Sequence, residues 1–221
     1  MKTISAMWLR ARHKAVDMLA DCRGIAATEF AVIVPIMLVL LFNTIDFSAG
    51  IAVNRKVTLI ARALSDLTAQ TPPPSLNSTS ATMTDTYLQN VFTASIAIVA
   101  PYAPSPVKAT LSEIYVDSTG VAKIVWTKSA IVSSDAATQA TLTTSPPPRV
   151  AGEDVTSLLP SNLLVRKTYM IFSEVSYLYV PTIGYLMAKS GITLQDVAYT
   201  RPRQAYCVIY GGVPADPCPS T

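Results

Sequence analysis

The hydrophobic pattern changes character three times along the chain. From Phe30 to Ile45 the stretch FAVIVPIMLVLLFNTI carries no charged side chain. As a helix that run is roughly 24 Å long, and counted from Ile25 it reaches roughly 31 Å, against a bilayer hydrocarbon core of roughly 30 Å. One membrane crossing is predicted, with Pro35 tolerated in its middle as a kink. The pattern then becomes one-sided. Val53, Val57, Ile60, Leu64 and Leu67 recur at helical spacing, an apolar stripe suited to packing against a partner surface, while Arg55, Lys56, Arg62 and Asp66 fall mostly off it. Pro72-Pro73-Pro74 ends the element. The prediction is one long helix over residues 25–70, membrane-embedded in its first half and amphipathic in its second.

Beyond the prolines the pattern shortens and alternates. Met83–Ile98 reads as a second helix with Tyr87, Leu88, Val91 and Phe92 on one side, closed by Pro101, Pro104 and Pro106. Val107–Asp117 and Val121–Ala130 read as a hairpin joined by Ser118-Thr119-Gly120. In its second strand Ala122, Ile124 and Trp126 share one face, which puts Trp126 in the core. Residues 131–150, rich in Ala, Thr and Ser and ending in three prolines, read as an exposed loop. Thr168–Val180 is the strongest strand. Its Glu174 lies on the face of Met170, Phe172 and Leu178; the preferred reading is an edge or solvated position, with a paired interior carboxylate as the alternative. Thr182–Lys189 reads as a short helix capped by Gly191, and Gln195–Thr200 and Gln204–Tyr210 as final strands around Arg201-Pro202-Arg203. The fold class is α+β, a long amino-terminal helix followed by a small antiparallel-sheet body, and no repeat is visible.

Charge adds orientation to this picture. Lys2, Arg10, Arg12, Lys14 and Arg23 against Asp17 and Asp21 leave all of the net +3 charge before Ile25. By the positive-inside rule the leader is cytoplasmic and the rest outside. The remainder is neutral, which argues against a nucleic-acid surface. His13, the only histidine, reads as a solvated cation of the leader. Its position also removes Ser-His-Asp and Cys-His catalysis, and the commonest metal ligand, from residues 25–221. No phosphate loop, zinc spacing or calcium loop occurs, so no cofactor or metal is predicted. Cys207 and Cys218 are the two cysteines beyond the leader. In an oxidising compartment they are a candidate disulfide worth roughly 3 kcal/mol, the alternative being two free, buried thiols.

One residue breaks the apolar run. Glu29 sits five positions past Gly24, at the mouth of the membrane helix. It is either an interfacial carboxylate favoured by the helix dipole, or half of an ion pair. Interfacial placement explains why Glu29 is tolerated but not why the glycine precedes it. If the chain is cut between Gly24 and Ile25, the new α-amine is a cation that Glu29 of a neighbouring chain pairs with, setting helix register in a bundle.

These residues resemble a known family. Gly24, the apolar Ile25-Ala26-Ala27, Glu29 and the helix that follows are similar to the class III signal of type IV pilins and pseudopilins. The finer pattern is R-G-x-A-A-x-E-F, a Pro-containing apolar run, then Asp46-Phe47. It resembles the TadE/TadG-like pseudopilins of tight-adherence (Tad, or Flp) type IV pilus systems over residues 23–70. Less closely, Ser173–Tyr177, Pro181–Gly184 and Arg201-Pro202-Arg203 resemble bodies of that family. Thr28 departs from a more usual apolar residue. The resemblance implies a pilin-like chain of three parts: a leader over 1–24, an assembly helix over 25–70 and an external body over 71–221. It implies cleavage at Gly24/Ile25 by a prepilin peptidase at the bacterial inner membrane, and Glu29 as the register carboxylate. The implied partners are other pilins and pseudopilins and the inner-membrane assembly platform. Residues 25–221 are long for a shaft subunit of this system, whose major pilins are very short, so the implied role is a minor pseudopilin in assembly, priming or the tip, and not an enzyme. The competing reading is an uncleaved single-pass envelope protein whose external domain binds a ligand or partner.

Overall fold

The computed structural model describes residues 23–75, 78–143, 149–181 and 190–211. Helix α1 runs unbroken over Arg23–Ala69 and includes Pro35. The chain divides into two compact units, with the boundary between Phe47 and Ser48.

Within the second unit the rest of the chain builds an α+β body. Strand β1 (Ser80–Met83) leads into helix α2 (Asp85–Ile96). Thr84 starts α2 by accepting a hydrogen bond from the Tyr87 amide, an N-cap that satisfies one of the free donors of the first turn. Five antiparallel strands follow: β2 (Val107–Val116), β3 (Ala122–Ile131), β4 (Thr141–Thr143), β5 (Thr168–Tyr179) and β6 (Ile192–Thr200). They stand in the order β4-β3-β2-β5-β6. A last strand, β7 (Cys207–Tyr210), returns to pair in parallel with β1.

The predicted stripe on α1 finds its surface in its own chain. Val53, Val57, Ile60 and Leu64 are fully buried in one core with Leu88 and Phe92 of α2 and Val107, Leu111, Ile171 and Val175 of the sheet. Each such side chain contributes about 1.5–3 kcal/mol. Polar contacts fix the docking. The Ser173 hydroxyl donates to the Ala61 carbonyl at 2.7 Å, and Ser65 and Thr200 join through their hydroxyls at 3.0 Å. Lys56 donates to the carbonyls of Ile98 and Ala100 at 2.9 and 2.6 Å. At Gly50 the helix comes so near Tyr179 that an added Cβ would sit 3.4 Å from the ring.

The other sheet face is covered over only part of its length. Ile114, Val116, Ala122, Ile124, Met170 and Phe172 form a second core with Val155 and Leu159. This corrects the expectation that Ala122 and Ile124 share a face with Trp126. Glu113 pairs with Trp126 but its neighbour Ile114 pairs with Ile124, so Val125 is an extra residue in β3. A single inserted residue turns every later side chain to the opposite face. Trp126 enters the core under α1, and Ile124 enters the core beneath the sheet.

Three further expectations meet the structure. The loop over 131–150 contains a short edge strand, β4, paired with Ser129–Ile131. Glu174 is not solvated at an edge. It lies on β5, between β2 and β6, and accepts from Arg149 at 2.9 and 3.1 Å. Arg149 also pairs with Glu153 at 3.1 Å, so the alternative of a paired carboxylate holds, at a part-buried position, and the hydrogen bonds that Arg149 donates to Glu174 raise the guanidinium pKa. The expected helix over Thr182–Lys189 lies outside the described residues.

Candidate assembly helix

The candidate site is the first half of α1. The helix begins at Arg23 with no acidic residue in its first turn. Gly24 lies inside it, exposed and without positive φ, and nothing stands within 4 Å of the position a Cβ would take. Glycine in a helix costs roughly 0.5–1 kcal/mol relative to alanine, and here neither a turn nor a close contact requires it. Ile25 follows within the helix. Glu29 is four residues beyond Ile25, a rise of about 6 Å along the axis, and its side chain is exposed. Among the described residues no salt bridge reaches it.

Around Glu29 the surface is apolar. Phe30, Val32, Ile36, Leu40 and Ile45 are all exposed. An uncovered apolar helix of this length does not remain single in water; it needs lipid or other helices around it. By length and composition α1 is able to cross a membrane, with a mean hydropathy of 2.2 over an 18-residue window within it. Its polar side chains are satisfied locally. Asn43 donates to the Val39 carbonyl at 2.6 Å and Thr44 to the Leu40 carbonyl at 2.8 Å, so neither needs an external partner in lipid.

In the body, one carboxylate escaped the sequence reading. Glu113 is 1% exposed, and among the described residues no salt bridge reaches it. Its Oε1 accepts from the Val208 amide at 2.6 Å and its Oε2 from the Trp126 indole at 3.0 Å. The indole also donates to the Val208 carbonyl at 2.6 Å. Burial raises the Glu113 pKa to about 8, only partly offset by the bonds from Val208 and Trp126. A signal was present in the pattern: the apolar residues Val107, Ala109 and Leu111 fall out of phase with Ile114 and Val116, and Glu113 is the residue at the phase change. Cys207 is buried beside Tyr169 and is disulfide-bonded, while Cys218 lies outside the described residues.

A cleft of about 570 Å3 opens on the uncovered part of the sheet, lined by Lys108, Thr110, Ser129, Glu174 and Gln195 among others. Within it the Thr110 and Ser129 hydroxyls hydrogen-bond at 2.9 Å, and Glu174 is held by Arg149. Among the described residues no group of three His, Cys, Asp or Glu is placed to hold a metal.

Comparison with known proteins adds one finding. The family model described as TadE-like protein matches residues 24–64, from Gly24 through the buried stripe to Leu64, and leaves the rest of the chain outside the match. No curated protein and no solved structure matches the chain. The segment that carries Gly24, Ile25, Glu29 and the docking stripe is thus a TadE-like helix, consistent with the TadE/TadG-like proteins associated with Tad pili.

Proposed function

We propose that the chain is a minor pseudopilin of a Tad-type pilus, acting structurally in assembly, priming or tip formation and so in surface adhesion. A prepilin peptidase at the inner membrane cuts between Gly24 and Ile25, removing the basic leader over 1–24. The helix over 25–70 holds the protein in the inner membrane as a single pass, with the body over 71–221 in the periplasm. Glu29 then pairs with the Ile25 α-amine of a neighbouring pilin or pseudopilin, and the assembly platform moves the helix into the pilus. Two charges paired in an apolar bundle are far less costly than either alone, so the pair fixes register. Cys207 and Cys218 close the carboxy-terminal loop as a disulfide.

The observation that carries this reading is Gly24. Glycine costs a helix stability, and among the described residues no neighbour or backbone conformation asks for it there. A residue that folding does not need is accounted for by an enzyme that must bind the backbone closely at that point. The TadE-like match, which begins at the same residue, supports it.

The test is the amino terminus of protein taken from native envelopes containing the cognate peptidase. Mass spectrometry is expected to find Ile25 first; assembled material that retains Met1–Arg23 would sink the reading. Glu29→Ala is expected to insert into the membrane and be cleaved yet fail to assemble, and a normal number of pili in that variant would remove the register role.

A further inference from the structure

The sheet treats its two edges differently. On the β3 side the edge is closed at both ends. Strand β4 pairs with Ser129–Ile131. Residues 152–155 cover the other end, through Ile124 N–H to the Glu153 carbonyl at 3.0 Å and Val155 N–H to the Ala122 carbonyl at 2.9 Å. On the β6 side no described strand follows. Strand β6 pairs with β5 over nine residues with no register shift, and its sequence ITLQDVAYT contains no proline, lysine or arginine. Bulges, prolines, basic side chains and inward-pointing charges are the usual means of blunting an edge; β6 has only the last, Asp196, and its edge is otherwise regular, a template for another strand.

Helix α1 extends past that edge. The side chains of β6 that face α1 are held by it, Asp196 by the Thr58 hydroxyl and Thr200 by Ser65. Beyond them an open groove of about 650 Å3 lies between α1 and residues 197–200, with Leu59, Arg62, Ala63 and Asp66 along the helix side. Leu59 is 51% exposed although it is the immediate chain neighbour of the fully buried Ile60. On the face away from α1, Val197 is exposed at 45%. The helix thus presents an apolar side chain beside an edge that no described strand covers.

The groove's charges select what fits there. Asp66 is engaged, by Arg203 at 2.6 Å and by Gln70 at 2.7 Å. Arg62 is exposed, and among the described residues no carboxylate forms a salt bridge with it. The occupant must supply an anion opposite Arg62 and an apolar side chain against Leu59. A second copy's β6 does not meet this requirement. Its sole acid is Asp196, and that carboxylate already accepts from Thr58 and from the Val197 amide.

We infer that the free edge of β6 and the overhanging face of α1 form a docking site for an extended segment of a different protein. That segment adds as a sixth strand beside β6, with an apolar residue under Leu59 and a carboxylate on Arg62. Main-chain bonds to the edge supply affinity, and the two side-chain contacts supply selectivity. The site needs only residues of the second compact unit, including the second half of α1, so it stands whether or not the chain is cut at Gly24.

The test uses the full chain in its native envelope, with a photo-crosslinking benzoylphenylalanine at Leu59 and, as a control, at Leu158, which is exposed elsewhere. Mass spectrometry of the joined peptides is expected to show, from Leu59 only, a segment of another protein with an Asp or Glu within two residues of the crosslink. Arg62→Glu is expected to lower its yield at least tenfold, and Arg62→Lys to keep most of it. Proline at Val197 and at Ala198 tests the backbone contact, since only one of two adjacent amides faces the free edge. The proline variant that stays folded is expected to lose the crosslink. The inference is overturned if the joined peptide comes from a second copy of this chain or lacks a carboxylate, if no product forms at Leu59, if Arg62→Glu leaves the yield unchanged, or if a folded proline variant crosslinks normally.

Discussion

Replacing Glu113 by glutamine isolates the energetic effect of one buried carboxylate. The side chain is 1% exposed and its pKa is raised to about 8, chiefly by desolvation. In the unfolded chain a glutamate titrates near 4.3. Between those values the folded state holds a proton that the unfolded state has released, so stability is greatest at the acid end and falls as pH rises. From pH 5 to pH 8 the loss is roughly 3–4 kcal/mol, at about 1.4 kcal/mol per pH unit once the unfolded side chain is ionised. The other shifted carboxylates act outside this window. Asp117 and Asp154 are held low mainly by the Thr119 and Thr156 hydroxyls, and Glu153 mainly by the Val150 amide. In Glu113→Gln the amide oxygen still accepts from Val208, and Trp126 keeps the Val208 carbonyl as acceptor. The variant is expected to lose less than about 1 kcal/mol over the same pH range, whatever its absolute stability. Guanidinium unfolding of the full chain in detergent, with Trp8→Phe in both proteins so that Trp126 is the sole fluorophore of its kind, followed by tryptophan fluorescence at pH 5, 6, 7 and 8, measures both slopes. Equal slopes in wild type and variant would refute the assignment of the pH dependence to Glu113.

Two further predictions follow from the packing. Ile60→Ala removes a fully buried side chain from the α1–sheet core and is expected to cost about 2–5 kcal/mol in the same unfolding experiment, whereas Leu59→Ala, one residue away and half exposed, is expected to cost well under 1 kcal/mol. Cys218→Ser is expected to free the Cys207 thiol for alkylation in the denatured chain and to lower stability by roughly 3 kcal/mol; a Cys207 that stays protected in this variant would show that it is bonded to another cysteine.

The amino-terminal half of α1 was legible because its chemistry is local. An uncharged run from Phe30 to Ile45 and a carboxylate five residues past Gly24 are properties of the sequence, and no packing is needed to see them. The stripe at Val53, Val57, Ile60 and Leu64 was legible as a buried helix face for the same reason: a period of 3.6 residues puts those positions on one side. The hairpin and the strand over Thr168–Tyr179 followed from β-branched runs and a glycine turn.

Sequence alone determined which segments are apolar, where the long helix ends, and that a charged residue and a glycine stand near its mouth without help from a fold. Tertiary structure decided what the apolar faces meet. It turned the α1 stripe onto the chain's own sheet and made Glu174 one arm of an Arg149 clamp. It also sent Trp126 and Ile124 to opposite faces through one extra residue at Val125. The strands β1 and β7 pair across more than 120 residues, so no local window contains both. The physical reason is range. Periodicity and charge act over a few residues, whereas register, edge exposure and the ionisation of a buried carboxylate depend on strands distant in sequence. Glu113 shows the limit most clearly, because its pKa is set by burial against Trp126 and Val208, and neither neighbour is near it in the chain.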